Sequence, residues 1–174
     1  MISRTSALEL LKKYPQADAD RNHYLESEAI MRALAEKFGE DVKYWGMLGL
    51  LHDVDWAITK NNPSEHLSKA PEILRDVGFD EEFIDAVLSH DWGHEILLQW
   101  KDKAREKKVE HALASSETLT GIIYAYALMR GRKISDMEVK GLKKKFKNLS
   151  FEKIFSFLNH KHSSYAQFSK HTEL

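Results

Sequence analysis

Hydrophobic residues recur along this chain with the spacing of an α-helix. In the segment 20–38, for example, Ile30, Leu34 and Phe38 fall on one face, because residues three, four or seven positions apart lie together on a helix. No stretch alternates apolar and polar residues for long enough to indicate a β-strand. The pattern therefore predicts an all-α protein.

Turn and cap residues divide this pattern into separate helices. Pro15 ends the first helix, and Gly39, Gly78 and Gly131 each follow a predicted helix end, a position that favours glycine. The predicted helices cover residues 5–14, 20–38, 41–52, 63–77, 80–90, 106–130, 135–147 and 150–158. We expect an N-terminal helix and linker over residues 1–19, a main domain over 20–148, and a C-terminal helix with a polar tail over 149–174.

Ionisable residues interrupt several of the predicted apolar faces. The apolar run 45–51 ends at His52 and Asp53; His52 continues the apolar face, and Asp53 is turned by about 100° from it. His23 shares the apolar face of its helix, and Glu117 interrupts the face of the helix at 106–130. Burying such groups is costly unless they are hydrogen-bonded, paired or bound to a metal ion. This pattern indicates a buried metal site.

Two further histidines stand where they would border a cavity. His66 falls early in the predicted helix 63–77, and His90 falls at the end of the helix 80–90. A single histidine on an apolar face is more often an ordinary core residue than a ligand, but four histidines and two carboxylates are hard to satisfy by independent hydrogen bonds. The candidate metal ligands are His23, His52, Asp53, His66, His90 and Glu117. The remaining histidines fit a surface position better, namely His94, His111, His160, His162 and His171.

The amino-acid composition limits which kinds of metal ligand this site can contain. The 174 residues contain no cysteine, which excludes disulfides and thiolate metal sites and leaves ligands that suit Mn, Fe, Zn, Co or Mg.

Lys plus Arg total 26 against 27 for Asp plus Glu, so the formal charge of −1 does not favour nucleic acid or an anionic membrane as a partner. The first residues lack the apolar core of a signal peptide and no segment is long enough to span a membrane, so we expect a cytoplasmic protein.

The candidate ligands stand in an ordered set of short motifs. These are His23, Leu-Leu-His52-Asp53-Val-Asp, Glu-His66-Leu-Ser-Lys-Ala-Pro-Glu-Ile-Leu, Val-Leu-Ser-His90, and Glu117-Thr-Leu-Thr-Gly-Ile-Ile. The set resembles the HD superfamily of metal-dependent phosphohydrolases, in particular its small stand-alone predicted hydrolases. The likeness extends over about residues 20–148 and includes a lysine-rich helix at residues 137–147 that is common in that subgroup.

The resemblance implies a single-domain helical bundle with a central metal site. It implies that His23, His52, Asp53 and the carboxylate at position 117 hold one divalent ion. His66 and His90 imply a second ion, with Asp53 as the bridging ligand. The family usually has Asp where this chain has Glu117, which is one methylene longer, so occupancy by one or by two ions stays open.

A Gly-Tyr-Pro signature, typical of the family's cyclic-dinucleotide phosphodiesterases, does not follow His90. A cyclic-dinucleotide substrate is therefore disfavoured. The constellation of His23, His52, Asp53 and Glu117, with the resemblance, leads us to expect a nucleotide or another small phosphate ester as the substrate, attacked by metal-activated water, with Asp53 and His52 as the central catalytic residues. The alternative is a non-catalytic, metal-stabilised sensor or interaction domain of the same fold. A third hypothesis, nucleic-acid binding through the lysines of residues 140–147, gains no support from the overall charge.

Several details stay open in the sequence. Asp55 fits either a group that orients a ligand histidine or an exposed acid at a helix end. Asp91, His94 and Lys60 are candidates for the proton donor to the leaving group, and spacing favours none of them. The oligomeric state cannot be read from the sequence.

Overall fold

The computed structural model describes residues 1–14, 17–94, 97–131 and 133–146. In these ranges the chain forms helices and no strand, which confirms the all-α prediction. The α-helices are α1 (Arg4–Lys12), α2 (Asp18–Phe38), α3 (Val42–Leu51), α4 (Trp56–Thr59), α5 (Ala70–Asp76), α6 (Glu81–Leu88), α7 (Lys108–Met129) and α8 (Val139–Phe146). Short 3-10 helices lie at Pro63–Glu65 and Ser89–Asp91.

The chain forms two compact units that divide within α7, the first Met1–Glu117 and the second Thr118–Leu174. The core of the first unit is built from buried apolar side chains of α1, α2, α3, α5 and α6. In the described part of the second unit, Ile122 and Ala125 of α7 are buried, and Tyr126 and Leu142 pack against them. None of the described helices has the length and apolar content that crossing a bilayer would require.

Helices α2 and α3 approach each other closely enough for their backbones to touch. A Cβ atom added to Gly49 would lie 2.5 Å from the carbonyl oxygen of Ser27, so only glycine fits this contact. Gly39 ends α2 in the left-handed region, with φ of 70°, and the Asp41 side chain then begins α3 by accepting hydrogen bonds from the backbone of Lys43 and Tyr44. This short connection sets α3 against α2.

The helix predicted over residues 63–77 is wrong, because the structure breaks it into two parts. The 3-10 helix ends at Glu65, His66 is extended, and Leu67 has a positive φ of 65° before α5 begins. Pro71 lies in the first turn of α5, where a proline is tolerated because its missing N–H would have no partner within the helix, so α5 begins here as a separate helix. His66 therefore lies on an irregular segment and not on a helix.

Other sequence predictions differ from the structure in smaller ways. The sequence pattern does not predict the short helix α4, and Phe38, which the spacing places on the apolar face of residues 20–38, is 44% exposed. The predicted helix over 150–158 lies outside the described residues. The domain boundaries at residues 19 and 148 stay predictions.

Candidate metal centre

Five of the six candidate ligands come together in the first unit as two groups of potential metal ligands. In each group, one ligand atom from every residue lies within 4.8 Å of the others. The first group is His23, His52 and Asp53; the second group is Asp53, His66 and His90. Asp53 belongs to both.

The carboxylate of Asp53 divides its two oxygens between the groups. Its Oδ2 lies 3.5 Å from Nε2 of His23 and 3.6 Å from Nε2 of His52. Its Oδ1 lies 3.2 Å from Nε2 of His66 and 3.4 Å from Nε2 of His90. The Nε2 atoms of His23 and His52 are 2.9 Å apart. Each oxygen thus faces two imidazole nitrogens and could, together with that pair, bind a cation.

Backbone carbonyls orient two of these rings. Nδ1 of His52 donates to the carbonyl oxygen of Gly49 at 2.8 Å, and Nδ1 of His90 donates to that of Val87 at 2.6 Å. In both cases the acceptor lies three residues earlier, where the helical chain presents its carbonyl. A hydrogen bond from Nδ1 leaves the lone pair on Nε2, the atom that faces Asp53, free to bind a metal ion.

Asp55 orients a third ring and is fully buried, so the interpretation as an exposed acid is wrong. Its Oδ1 lies 3.3 Å from Nδ1 of His66. Its carboxylate also accepts hydrogen bonds from the backbone nitrogens of Leu67, Lys69 and Ala70, at 3.3, 2.9 and 3.1 Å. One side chain therefore holds both the irregular segment and the imidazole that the segment carries.

The residues fit a divalent metal ion. Oδ1 of Asp53 is buried and accepts no hydrogen bond from any described residue, although two imidazole nitrogens lie nearby. A buried carboxylate oxygen without such a bond is costly, and a cation between it and the two rings would compensate for that cost. Imidazole nitrogens with a carboxylate oxygen form a donor set that zinc, iron, manganese and cobalt accept.

Comparison with known proteins identifies the family. The model of the HD domain family matches residues 21–164. The chain belongs to the HD domain family. Ribonuclease Y of Aliarcobacter butzleri (strain RM4018) is 28% identical to this HD domain over 133 residues, which cover 64% of this chain and 26% of that protein. The chain thus spans about a quarter of this curated relative's length. No solved structure gives a significant match.

The electrostatics of the HD domain act differently on the pKa values of the five grouped residues. Burial raises the pKa of Asp53, but the surrounding imidazoles outweigh burial and hold that pKa well below its usual value. Burial lowers the pKa of His52 to about 3, against the attraction of Asp53. Burial also lowers the pKa values of His23, His66 and His90, yet their contacts with carboxylates prevail and raise all three. Asp53 is therefore ionised and His52 neutral, as ligands must be, whereas a metal ion would have to displace a proton from His23, His66 and His90.

Glu117 is buried in α7, as its place on an apolar face predicted, but it belongs to neither group of the HD domain. Glu117 nevertheless interacts electrostatically with the first group, because its charge is among the causes that raise the pKa of His23. Its role as a ligand stays a prediction.

The structure also adds residues near the second group. Asp91 is buried, and its Oδ2 lies 3.6 Å from Nε2 of His66. Arg105 donates a hydrogen bond from Nη2 to the carbonyl oxygen of His90. The polar segment that contains Arg105 has no periodic pattern of hydrophobic residues, so the sequence did not predict the contact between Arg105 and His90.

The prediction of a surface position is wrong for His94, which is buried. His111 is half-buried, and the other three histidines of that set, His160, His162 and His171, lie outside the described residues. Lys60, a candidate proton donor, lies 3.8 Å from Asp20 on α2.

Proposed function

We propose that this HD domain is a metal-dependent phosphohydrolase that acts on a nucleotide or another small phosphate ester. The observation that carries the proposal is the position of Asp53, whose two carboxylate oxygens face two separate pairs of imidazole nitrogens. Membership of the HD domain family supports the same conclusion.

In this proposal His23, His52 and Asp53 hold one divalent ion, with Glu117 as a further ligand. Asp53, His66 and His90 hold a second. Mn, Fe, Zn, Co and Mg are the candidates, with one or two ions per chain. When bound, such an ion makes water nucleophilic near neutral pH and polarises a phosphoryl oxygen.

The side chains of the protein position the reacting centre and shield it from bulk water. His52 and Asp53 are almost fully buried and are the central catalytic residues, because they hold the reacting centre away from bulk water. The His23 side chain, in contrast, is 23% exposed. We infer that substrate enters from the His23 side of the first group.

Turnover after metal removal and reloading tests this proposal. Chelated protein is reloaded with each candidate ion and assayed on nucleoside monophosphates, p-nitrophenyl phosphate and an RNA oligonucleotide. We expect metal-restored phosphate release from a monoester, and its loss in Asp53→Asn. Asp85→Asn, an exposed carboxylate on α6, is the matched control and should keep full activity. Wild-type protein that stays inactive with every ion would refute the proposal.

The panel also separates two rival functions. The likeness to ribonuclease Y favours a phosphodiester substrate, and cleavage of the oligonucleotide without monoester turnover would support that function instead. In a non-catalytic sensor or interaction domain, metal would raise the melting temperature while every phosphate ester stayed intact.

A further inference from the structure

The chain that follows His90 folds back on itself. The backbone nitrogen of Gly93 donates to the carbonyl oxygen of Trp100 at 2.8 Å. The ammonium group of Lys103 lies over both indole rings, 4.8 Å from the centre of Trp92 and 4.9 Å from that of Trp100. Cation–π contacts of this kind are attractive and help to keep Lys103 beside the two indole rings. The fold-back returns the chain to the metal centre at Arg105.

Arg105 uses one of its donors to attach to the second group. Its Nη2 donates to the carbonyl oxygen of His90, whose ring faces Oδ1 of Asp53. The guanidinium is therefore tied to the main chain of a proposed ligand. Asp91, the residue after that ligand, and Glu117 are the acids whose charges act most strongly on Arg105.

A second donor of the same guanidinium has no hydrogen-bond acceptor among the described residues. Nε of Arg105 is buried and has no hydrogen-bond partner among the described residues. A buried N–H of a charged group without an acceptor is costly, more so than for a neutral group. The position calls for an anionic acceptor at the edge of the second group.

We propose that Arg105 binds a phosphoryl oxygen of the substrate. A guanidinium is planar, always charged and rich in donors, and it matches phosphate oxygens with adjacent N–H groups. The hydrogen bond from Arg105 to the His90 carbonyl would fix the position of the phosphate contact relative to the metal ligands. The inference rests on the proposed function, because it assigns a binding residue to the same site.

Binding of inorganic phosphate to metal-loaded protein tests the inference without any need for turnover. In calorimetric titrations we expect Arg105→Gln to weaken phosphate binding by about tenfold or more, because a charge-assisted hydrogen bond is lost. Arg105→Lys should keep part of the affinity. Lys101→Gln, which removes an exposed cation from the same loop, is the matched control and should bind as the wild type does. Metal content, measured on each variant, should not change.

The wild-type protein offers an independent readout if the variants fail to fold. The ¹⁵N-labelled Nε–H group of Arg105 should shift in the NMR spectrum when phosphate is added to metal-loaded protein, and chloride should leave it in place. Unchanged phosphate affinity in Arg105→Gln, or an Nε–H signal that phosphate does not move, would overturn the inference. Phosphate binding through Arg105 in a protein without turnover would refute the proposed hydrolase activity and leave the binding site standing.

Discussion

At the scale of single residues, the most informative side chain outside the two groups is Asp55. It accepts three backbone hydrogen bonds from the irregular segment and contacts the ring of His66. A carboxylate can accept on both oxygens, whereas an amide can accept on only one. The position of His66 therefore depends on the charge and the acceptors of Asp55.

We expect Asp55→Asn to weaken metal binding in the second group by about tenfold or more, the usual cost of losing a partner of a ligand histidine. The unfolding free energy should also fall, by about 1 to 3 kcal/mol, since a buried N–H loses its acceptor. Metal titration and urea unfolding measure the two effects. Asp76→Asn, on the exposed surface of α5, should change neither. Equal metal affinity in both variants would show that Asp55 acts only on the backbone.

Glu117 poses a different question, because it is buried and its charge reaches His23, yet it is outside both groups. If it ligates the first ion, Glu117→Gln should lower the affinity of that ion by about tenfold, since an anionic ligand is lost. Glu117→Asp keeps the charge and should keep more of the affinity. Identical metal affinity in the wild type and the glutamine variant would remove Glu117 from the ligand set.

At the scale of elements, the contact between α2 and α3 sets the spacing of the first group. Ser27 follows His23 by four residues on α2, and Gly49 precedes His52 by three at the end of α3. Since residues at these separations share a helix face, the backbone contact lies on the same side as the two rings. A change in helix separation would move the two Nε2 atoms, which are 2.9 Å apart.

We expect Gly49→Ala to destabilise the protein by about 1 to 3 kcal/mol, because the new Cβ meets backbone atoms that cannot move alone. Metal affinity should fall with it. Gly46→Ala is the comparison on the same helix: its Cβ would lie 2.7 Å from Cγ of Arg32, a side chain that can move more easily than backbone, so its loss of stability should be smaller. Urea unfolding of apo and metal-loaded protein separates the two effects, and equal stability of the two variants would contradict the proposed contact.

At the scale of the whole molecule, the candidate metal centre joins parts of the chain that are distant in sequence. Its residues come from α2, the end of α3, the irregular segment before α5 and the 3-10 helix after α6. A ligand that binds the folded state alone stabilises it by mass action. The first unit should therefore resist unfolding better with the ion than without it.

We expect a saturating divalent ion, at about a hundred times its dissociation constant, to add about 2.7 kcal/mol and to raise the melting temperature by roughly 5 to 10 °C. Calorimetry of chelated and reloaded protein measures the shift. Asp53→Asn should show none, because it removes the residue shared by both groups. A shift of the same size in that variant would place the stabilising ion elsewhere.

The sequence by itself determined the helical class and most of the inward-facing ionisable residues, because periodicity reports which side of a helix is buried. It identified His23 and His52 in this way, Asp53 as the acid that follows His52, and His66 even though the helix assigned to it does not exist. It left Asp55 undecided and did not reveal the contact of Arg105, because both depend on irregular segments without a period.

Only the tertiary structure decided how these residues meet. The two pairs of rings that face the Asp53 oxygens and the hydrogen bond from Arg105 to His90 are set by distances between separate elements. Such distances depend on how helices pack and where loops return, as at the glycine contact between α2 and α3. Local patterning carries no information on them, because it describes each element relative to its own axis and not to its neighbours.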